Sequence, residues 1–302
     1  MDKLTLAVTS RNYFNLPAWV ALHAGLFAEE GLDVTIDHIE AIDAVNEAVT
    51  TGQAQFAYGV TEHVILDAEA GGHQVILGGN VNRLPFSLIS TPEVRRFEDL
   101  RGRTIGVSSL RAGSSSLVMK LLAAHGLHYP QDYRMVACGP ILARWDKLRS
   151  GEIQAGLQGV PLNYIALDQG FNSLCEPRDE IPWFQFTSLN ADRTWLDANR
   201  SLALRFLRAF LRAHERFYAD RPAANAIAAR ESRVAPEYAD RAWVEYTKAE
   251  IFPRDGEASA AAVQALIETS SLIRELPTRA RSQAEDYIDR SWLAAARQSL
   301  QA

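Results

Sequence analysis

The strongest constraint on the fold is an alternation of strand-like and helix-like segments from residue 4 to about residue 190. Short apolar runs, such as residues 4–8 and 104–107, precede segments whose apolar residues recur at three- and four-residue spacing. One such segment, residues 17–28, has Pro17 in its first turn and predicts a single helix. The alternation as a whole predicts an α/β fold in which helices flank mostly parallel sheets.

This alternation occurs twice along the chain. A first series of strand–helix units ends near residue 90, and a second begins at residues 97–107 and continues to about residue 169. Two series predict two lobes, and we expect lobe 1 at 1–88 and 188–302 and lobe 2 at 89–187. The chain would cross between the lobes near residues 87–90 and 186–188, and these crossings would form a hinge.

From about residue 197 the sequence predicts helices only. Apolar residues between Leu202 and Phe217 recur at helical spacing, opposite a row of arginines. Further helices are predicted over residues 222–230, 236–248, 258–272 and 283–300. Their apolar faces need a surface to cover, so we expect this helical C-terminal region to pack on the first lobe.

The charge balance argues against several classes of partner. The chain has 31 basic and 37 acidic residues, and this net charge of −6 disfavours nucleic acids and anionic membrane surfaces. No apolar run approaches the roughly 20 residues of a membrane-spanning helix, so we expect no direct membrane insertion. No signal peptide is predicted, because residues 3–8 already have the pattern of a strand.

Metal and cofactor sites are not predicted. The two cysteines, Cys138 and Cys175, and the seven histidines form no cluster with metal-ligand spacing. At most one disulfide is possible, and the pattern favours two small buried residues instead. We therefore expect neither a metal nor a cofactor.

Four motifs carry a resemblance to a known family. They are residues 16–34 (LPAWVALHAGLFAEEGLDV), 51–59 (TGQAQFAYG), 97–107 (FEDLRGRTIGV) and 148–155 (LRSGEIQA). In order and spacing they resemble the type II periplasmic binding proteins, in the group that serves sulfonate, taurine, nitrate and thiamine-precursor uptake by ABC transporters. Gln53, Gln55 and Gln154 lie at or next to positions where that family usually has aspartate. These glutamines remove charge from the motifs but leave the expected fold unchanged.

The resemblance implies both a fold and a function. It implies a two-lobed type II fold and capture of a small anionic or polar organic molecule, such as a sulfonate, a carboxylate or a pyrimidine-like compound, by hinge closure. The partners would be that small molecule and an ABC transporter permease, and we expect a monomer. The location would be periplasmic if an export signal lies outside this chain, and cytoplasmic otherwise.

Candidate ligand-binding residues lie where predicted strands end, because ligands of open parallel sheets bind beyond the carboxyl ends of strands. The candidates are Asn12, Tyr13, Asn15, Gly59, Thr61, Ser108, Ser109, Arg111, Gly113, Ser114, Ser115 and Gln158. The serine-rich segment precedes an apolar helix, whose free N–H groups and dipole attract anions, and Arg111 offers a charge partner. Thr61 is equally consistent with a helix N-cap.

An enzyme on the same fold is the alternative hypothesis. It would be a decarboxylase, a desulfinase or a pathway synthase acting on a small aromatic or heterocyclic acid in the cytoplasm. The sequence shows no activated nucleophile, because the loop at residues 10–15 has no cysteine and His23 and His63 lie in predicted helices. We therefore predict no catalytic residue. A ligand-sensing module is a third possibility, although no DNA-binding segment is apparent.

Overall fold

The computed structural model describes residues 1–111, 113–272 and 283–301. These residues form ten strands: β1 (Asp2–Thr9), β2 (Leu32–Ile39), β3 (Phe56–Val60), β4 (Gln74–Val81), β5 (Phe86–Ser90), β6 (Thr104–Val107), β7 (Arg134–Ala137), β8 (Ala155–Gly159), β9 (Asn172–Ser173) and β10 (Thr187–Asp192).

The helices cover both sheets and make up most of the C-terminal third. They are α1 (Leu16–His23), α2 (Leu26–Glu29), α3 (Ile42–Thr50), α4 (Thr61–Glu69), α5 (Ser114–Ala124), α6 (Ile141–Arg149), α7 (Leu162–Asp168), α8 (Pro177–Glu180), α9 (Arg193–Ala198), α10 (Arg200–Ala219), α11 (Arg221–Ser232), α12 (Pro236–Lys248), α13 (Ala260–Ser270) and α14 (Ser291–Gln301). Short 3-10 turns occur at Tyr13–Asn15, Phe97–Leu100 and Ala284–Tyr287.

The strands form two five-stranded sheets, ordered β2-β1-β3-β10-β4 and β7-β6-β8-β5-β9. In each sheet one strand is antiparallel to its neighbours, β10 in the first and β5 in the second. Each reversed strand is the one that the chain enters directly after passing from one sheet to the other. The expectation of an α/β fold with two mostly parallel sheets is therefore confirmed.

The C-terminal helices pack on the first sheet, as expected. Phe206 of α10 stacks on Phe56 of β3 with ring centroids 3.9 Å apart, and Phe27 of α2 stacks on the same Phe206 ring at 5.2 Å. Both Phe56 and Phe206 are buried. These aromatic contacts fix α10 across the sheet, because large buried rings contribute much of the apolar area in a core.

Two predicted helices differ from the structure, and one strand of the first sheet was not predicted. The helix predicted over residues 17–28 is two helices, because Gly25 adopts a left-handed backbone, with φ of 73°, between α1 and α2. The helix predicted over 283–300 begins as a 3-10 turn, and Ile288 then forms a β-bridge with Ile76 before α14 starts. Strand β10 was not predicted, because its sequence has only two apolar residues, Leu189 and Ala191, among small polar ones.

The division into lobes stays a proposal, with lobe 1 at 1–88 and 188–302 and lobe 2 at 89–187. Strand β5 belongs to the second sheet and begins at Phe86, so it spans the first proposed boundary.

None of the helices within the described ranges is both long and apolar enough to cross a membrane. Cys138 and Cys175 are free thiols, and Cys138 is buried.

Candidate ligand-binding cleft

A cavity of about 460 Å³, counting its solvent-open part, lies between the two sheets. We call it the Arg144 cavity. Its lining residues are Thr9, Asn12, Phe14, Ile42, Val60, Phe86, Ser108, Ser114, Pro140, Ile141, Arg144, Phe186 and Thr187. Thr9 and Val60 end strands of the first sheet, and Ser108 directly follows β6 of the second. The cavity therefore lies at the carboxyl ends of strands from both sheets, where α/β folds bind ligands.

Arg144 is the main charged group of this cavity. Its side chain is buried, with only 3% of the residue exposed, and its Nε donates to the carbonyl oxygen of Leu157 at 2.8 Å. Within the described part of the chain it forms no ion pair. Burial lowers the pKa of Arg144 to about 10, so the guanidinium is still charged at neutral pH. A buried charge without a counter-ion is costly for the folded protein.

Two glycines make room for the Arg144 side chain. Gly106 of β6 and Gly156 of β8 are paired across the second sheet, beneath the aliphatic part of Arg144. A Cβ on Gly156 would lie 3.0 Å from Arg144 Cδ, and one on Gly106 would lie 3.2 Å from Arg144 Cγ. The absence of side chains at these two positions leaves room on the sheet for the Arg144 side chain, whose guanidinium thereby reaches the cavity.

The serine-rich segment caps its own helix. Ser108 Oγ accepts the backbone N–H of Ser114 at 3.1 Å, and Ser114 Oγ accepts the backbone N–H of Ser108 at 2.7 Å. The backbone N–H of Gly113, directly before α5, donates to the carboxylate of Glu62 at 3.2 Å. In this conformation, side chains of the protein accept hydrogen bonds from the backbone N–H groups that the sequence analysis proposed for an anion. The hydroxyls of Ser108 and Ser114 still line the cavity beside Arg144.

The other candidates of this segment lie outside the cavity lining. Arg111 is exposed, and its backbone N–H donates to Ser109 Oγ at 3.2 Å. Ser115 is buried in the first turn of α5. Arg144, which the sequence reasoning missed, lines the cavity, whereas Arg111 lies outside it.

Some residues of the loop after β1 line a cavity, and others hold the loop together through hydrogen bonds. Asn12 lines the cavity and donates through Nδ2 to the Thr9 carbonyl at 2.7 Å, which leaves its buried Oδ1 without a partner among the described residues. Asn15 is fully buried and donates to the Ser10 carbonyl at 2.7 Å, so its amide holds the loop together. Tyr13 points to a neighbouring cavity.

Three candidates from the strand ends have other neighbours. Gly59 lies against Asn46, whose Oδ1 would be 1.9 Å from an added Cβ. Thr61 does not cap α4, because Val60 is the N-cap and the Thr61 hydroxyl donates to Ser188 Oγ at 2.9 Å. Gln158 is fully buried in β8, and both polar atoms of its amide lack partners within the described ranges.

Aromatic side chains form the apolar wall of the Arg144 cavity. The rings of Phe86 and Phe186 meet edge to face at 4.9 Å, and Phe14 meets Phe186 at 6.5 Å. Two aromatic residues nearby in the sequence are not part of this wall, because Trp183 is exposed and Phe184 is core. A cationic end and an aromatic wall together suit an anion with an apolar body.

A second cavity of about 380 Å³, again counting open space, adjoins the first. We call it the Tyr13 cavity. Asn12, Phe14 and Ile141 line both cavities. Its other lining residues are Arg11, Tyr13, Pro85, Leu142, Gly159, Val160, Pro161, Leu162, Ser232, Val234 and Tyr246.

Solved structures with the same architecture confirm the periplasmic-binding-protein fold. The alkanesulfonate-binding protein SsuA of Xanthomonas axonopodis pv. citri, bound to MOPS, superposes with a TM-score of 0.73 at 17% identity over 98% of both chains. The periplasmic nitrate-binding protein NrtA of Synechocystis PCC 6803 gives 0.79 at 13% identity, over 99% of this chain and 89% of that one.

The chain belongs to the NMT1/THI5 like family, whose model matches residues 14–224. A curated relative is the 4-amino-5-hydroxymethyl-2-methylpyrimidine phosphate synthase THI13 of Saccharomyces cerevisiae, 25% identical over 173 residues. The match covers 56% of this chain and 49% of the yeast protein. The chain thus spans about half the length of the curated relatives that it matches.

Proposed function

We propose that this protein is a solute-binding protein that captures a small organic anion between its two lobes. The observation that carries the proposal is the buried guanidinium of Arg144, which has no counter-ion among the described residues and lines a cavity at the carboxyl ends of both sheets. An anion in the cavity would accept charge-assisted hydrogen bonds from Arg144 and hydrogen bonds from the hydroxyls of Ser108 and Ser114.

Hinge closure is the mechanism that this arrangement supports. The ligand contacts both lobes only in the closed state, and this difference in contacts shifts the equilibrium towards closure. Glu62 of α4 and Gly113 at the start of α5 already meet across the cleft. The solved neighbours are named for sulfonate and nitrate binding. The name of the nitrate-binding neighbour supports a periplasmic location. We include that location, delivery to an ABC-type importer and a monomeric state in the proposal.

Calorimetric titration tests the anion site. We expect at least one sulfonate or carboxylate to bind the wild-type protein, and Arg144→Gln to weaken that binding about 10- to 100-fold, because a charged hydrogen-bonding partner is lost. Arg149→Gln, on the exposed last turn of the same helix, is the matched control and should bind normally. Equal affinity in wild type and Arg144→Gln would refute the proposed site.

A pyrimidine-forming or acid-transforming enzyme is the second candidate function. Membership of the NMT1/THI5 like family and the similarity to the yeast synthase favour it. The fate of a bound compound separates the two candidates. Mass spectrometry after prolonged incubation should recover the ligand intact from a binding protein, whereas a new product would support the enzyme.

A further inference from the structure

The Tyr13 cavity contains polar atoms that the protein leaves without partners. The hydroxyl of Tyr13 is buried and has no hydrogen-bond partner within the described ranges, and the same holds for Ser232 Oγ and Asn12 Oδ1. Only 2% of Tyr13 is exposed. Buried polar groups are nearly always hydrogen-bonded, so three unpaired atoms around one cavity indicate a missing occupant.

The walls between these polar atoms are apolar and aromatic. The ring of Tyr13 packs on that of Tyr246 with centroids 4.7 Å apart, and Pro85, Val160 and Pro161 are among the other lining residues. Both tyrosines are buried, and burial raises their pKa values well above the usual range, so both hydroxyls are neutral donors. The occupant therefore needs an acceptor for Tyr13 and a compact body.

The charge at this end of the cleft is already balanced. Arg11 lines the cavity, but its Nη1 forms an ion pair with Glu231 Oε2 at 2.8 Å, and His23 Nε2 lies 2.8 Å from Glu231 Oε1. A second anion would meet a guanidinium that already has a carboxylate partner. A cation would meet the positive end of that pair. A neutral hydrogen-bonding group is the species that the cavity suits.

We propose that the Tyr13 cavity is a second compartment of the ligand site and receives a neutral hydrogen-bonding group at the end of the ligand remote from its anionic group. This inference rests on the proposed function, because the anionic group is held at Arg144. The two compartments adjoin at Asn12, Phe14 and Ile141. The ligand class is thus an organic anion with a distal hydroxyl, amide or amino substituent.

Matched pairs of probes test the second compartment. The pairs are benzoate with 4-hydroxybenzoate, benzenesulfonate with 4-hydroxybenzenesulfonate, and propanesulfonate with 3-hydroxypropanesulfonate. In at least one pair, the hydroxylated probe should bind the wild-type protein about five- to tenfold tighter, which is the usual range of a neutral hydrogen bond.

Tyr13→Phe should abolish that difference and leave the affinity of the parent anion within about twofold, since the ring contact with Tyr246 is kept. Ser232→Ala should reduce the difference as a second, independent variant. Tyr133→Phe is the matched control, because the Tyr133 hydroxyl is also buried without a partner among the described residues, and Tyr133 directly precedes β7, outside both cavities.

The outcomes separate this inference from the proposed function. Anion binding that depends on Arg144, with no preference for the hydroxylated member of any pair, would overturn the second compartment and leave the first intact. A preference that survives in Tyr13→Phe would also overturn it. Failure of every anion to bind would overturn the proposed function and this inference with it.

Discussion

Arg144 combines two properties that rarely occur together in a stable core: it is charged, and it is buried without a carboxylate partner among the described residues. Such a group lowers the stability of the ligand-free protein, because its desolvation is not offset. Sites of this kind are kept where the charge has a functional use. At the residue scale, the cost in stability and the proposed affinity for an anion therefore have one cause.

This shared cause gives a prediction at the residue scale. Arg144→Met should raise the free energy of unfolding of the ligand-free protein by about 1 kcal/mol, because an unpaired buried charge is replaced by an apolar chain of similar length. Urea denaturation measures the change. The same variant should lose anion binding. A marked loss of stability would show that the Leu157 hydrogen bond, and not desolvation, dominates at this position.

At the element scale, strands β6 and β8 act as a platform for α6. The paired glycines Gly106 and Gly156 let the Arg144 stem lie directly on the sheet. An alternation of apolar residues could not have predicted this, since glycine in a strand indicates only that something approaches closely. The approaching group is identified only when α6 is packed against the sheet.

Gly156→Ala tests this platform. The new Cβ would lie 3.0 Å from Arg144 Cδ and 3.2 Å from the Gly106 carbonyl oxygen, so the arginine side chain must shift by a few tenths of an ångström. We expect anion affinity to fall about tenfold in calorimetric titration while the far-ultraviolet circular dichroism spectrum is unchanged. Gly151→Ala is a poor control because Gly151 has φ of 76°. Ala143→Gly, at an exposed position of α6, is a better one, and unchanged affinity in Gly156→Ala would contradict the platform.

At the scale of the whole molecule, helix α12 links the C-terminal region to lobe 2. Glu245 of α12 accepts a hydrogen bond from the Tyr164 hydroxyl of α7 and forms an ion pair with Arg178 of α8. Nearby, Asp168 of α7 accepts from the Tyr238 hydroxyl at 2.9 Å. In the proposed hinge motion these contacts would form only while the lobes are close, and they would then stabilise the closed state.

Glu245→Gln should therefore favour the open state. Because the closed state is the one that binds, apparent ligand affinity should fall about two- to tenfold although Glu245 lines neither cavity. Small-angle X-ray scattering of the ligand-free protein should show a larger radius of gyration. Glu152→Gln, which removes a carboxylate partner of Lys147 within lobe 2, serves as the control. An unchanged radius and affinity would show that α12 does not hold the lobes together.

The sequence by itself determined the α/β class, the two series of strand–helix units and the C-terminal helices, because hydrophobic periodicity reports local backbone geometry directly. It also singled out Asn12, Tyr13, Ser108 and Ser114, which line the two cavities, because polar residues that follow predicted strands can be read from the sequence. It did not predict the break at Gly25 or strand β10, where single backbone angles and long-range pairing decide the outcome.

Only the tertiary structure decided which charge faces the cleft. Arg111 and Arg144 are both arginines near a helix start, and nothing local distinguishes them. Packing buries Arg144 over two glycines from separate strands and leaves Arg111 in solvent. The physical reason is that the burial and charge pairing of a side chain depend on residues far apart in the chain. The periodicity of one segment does not show which distant residues will contact it.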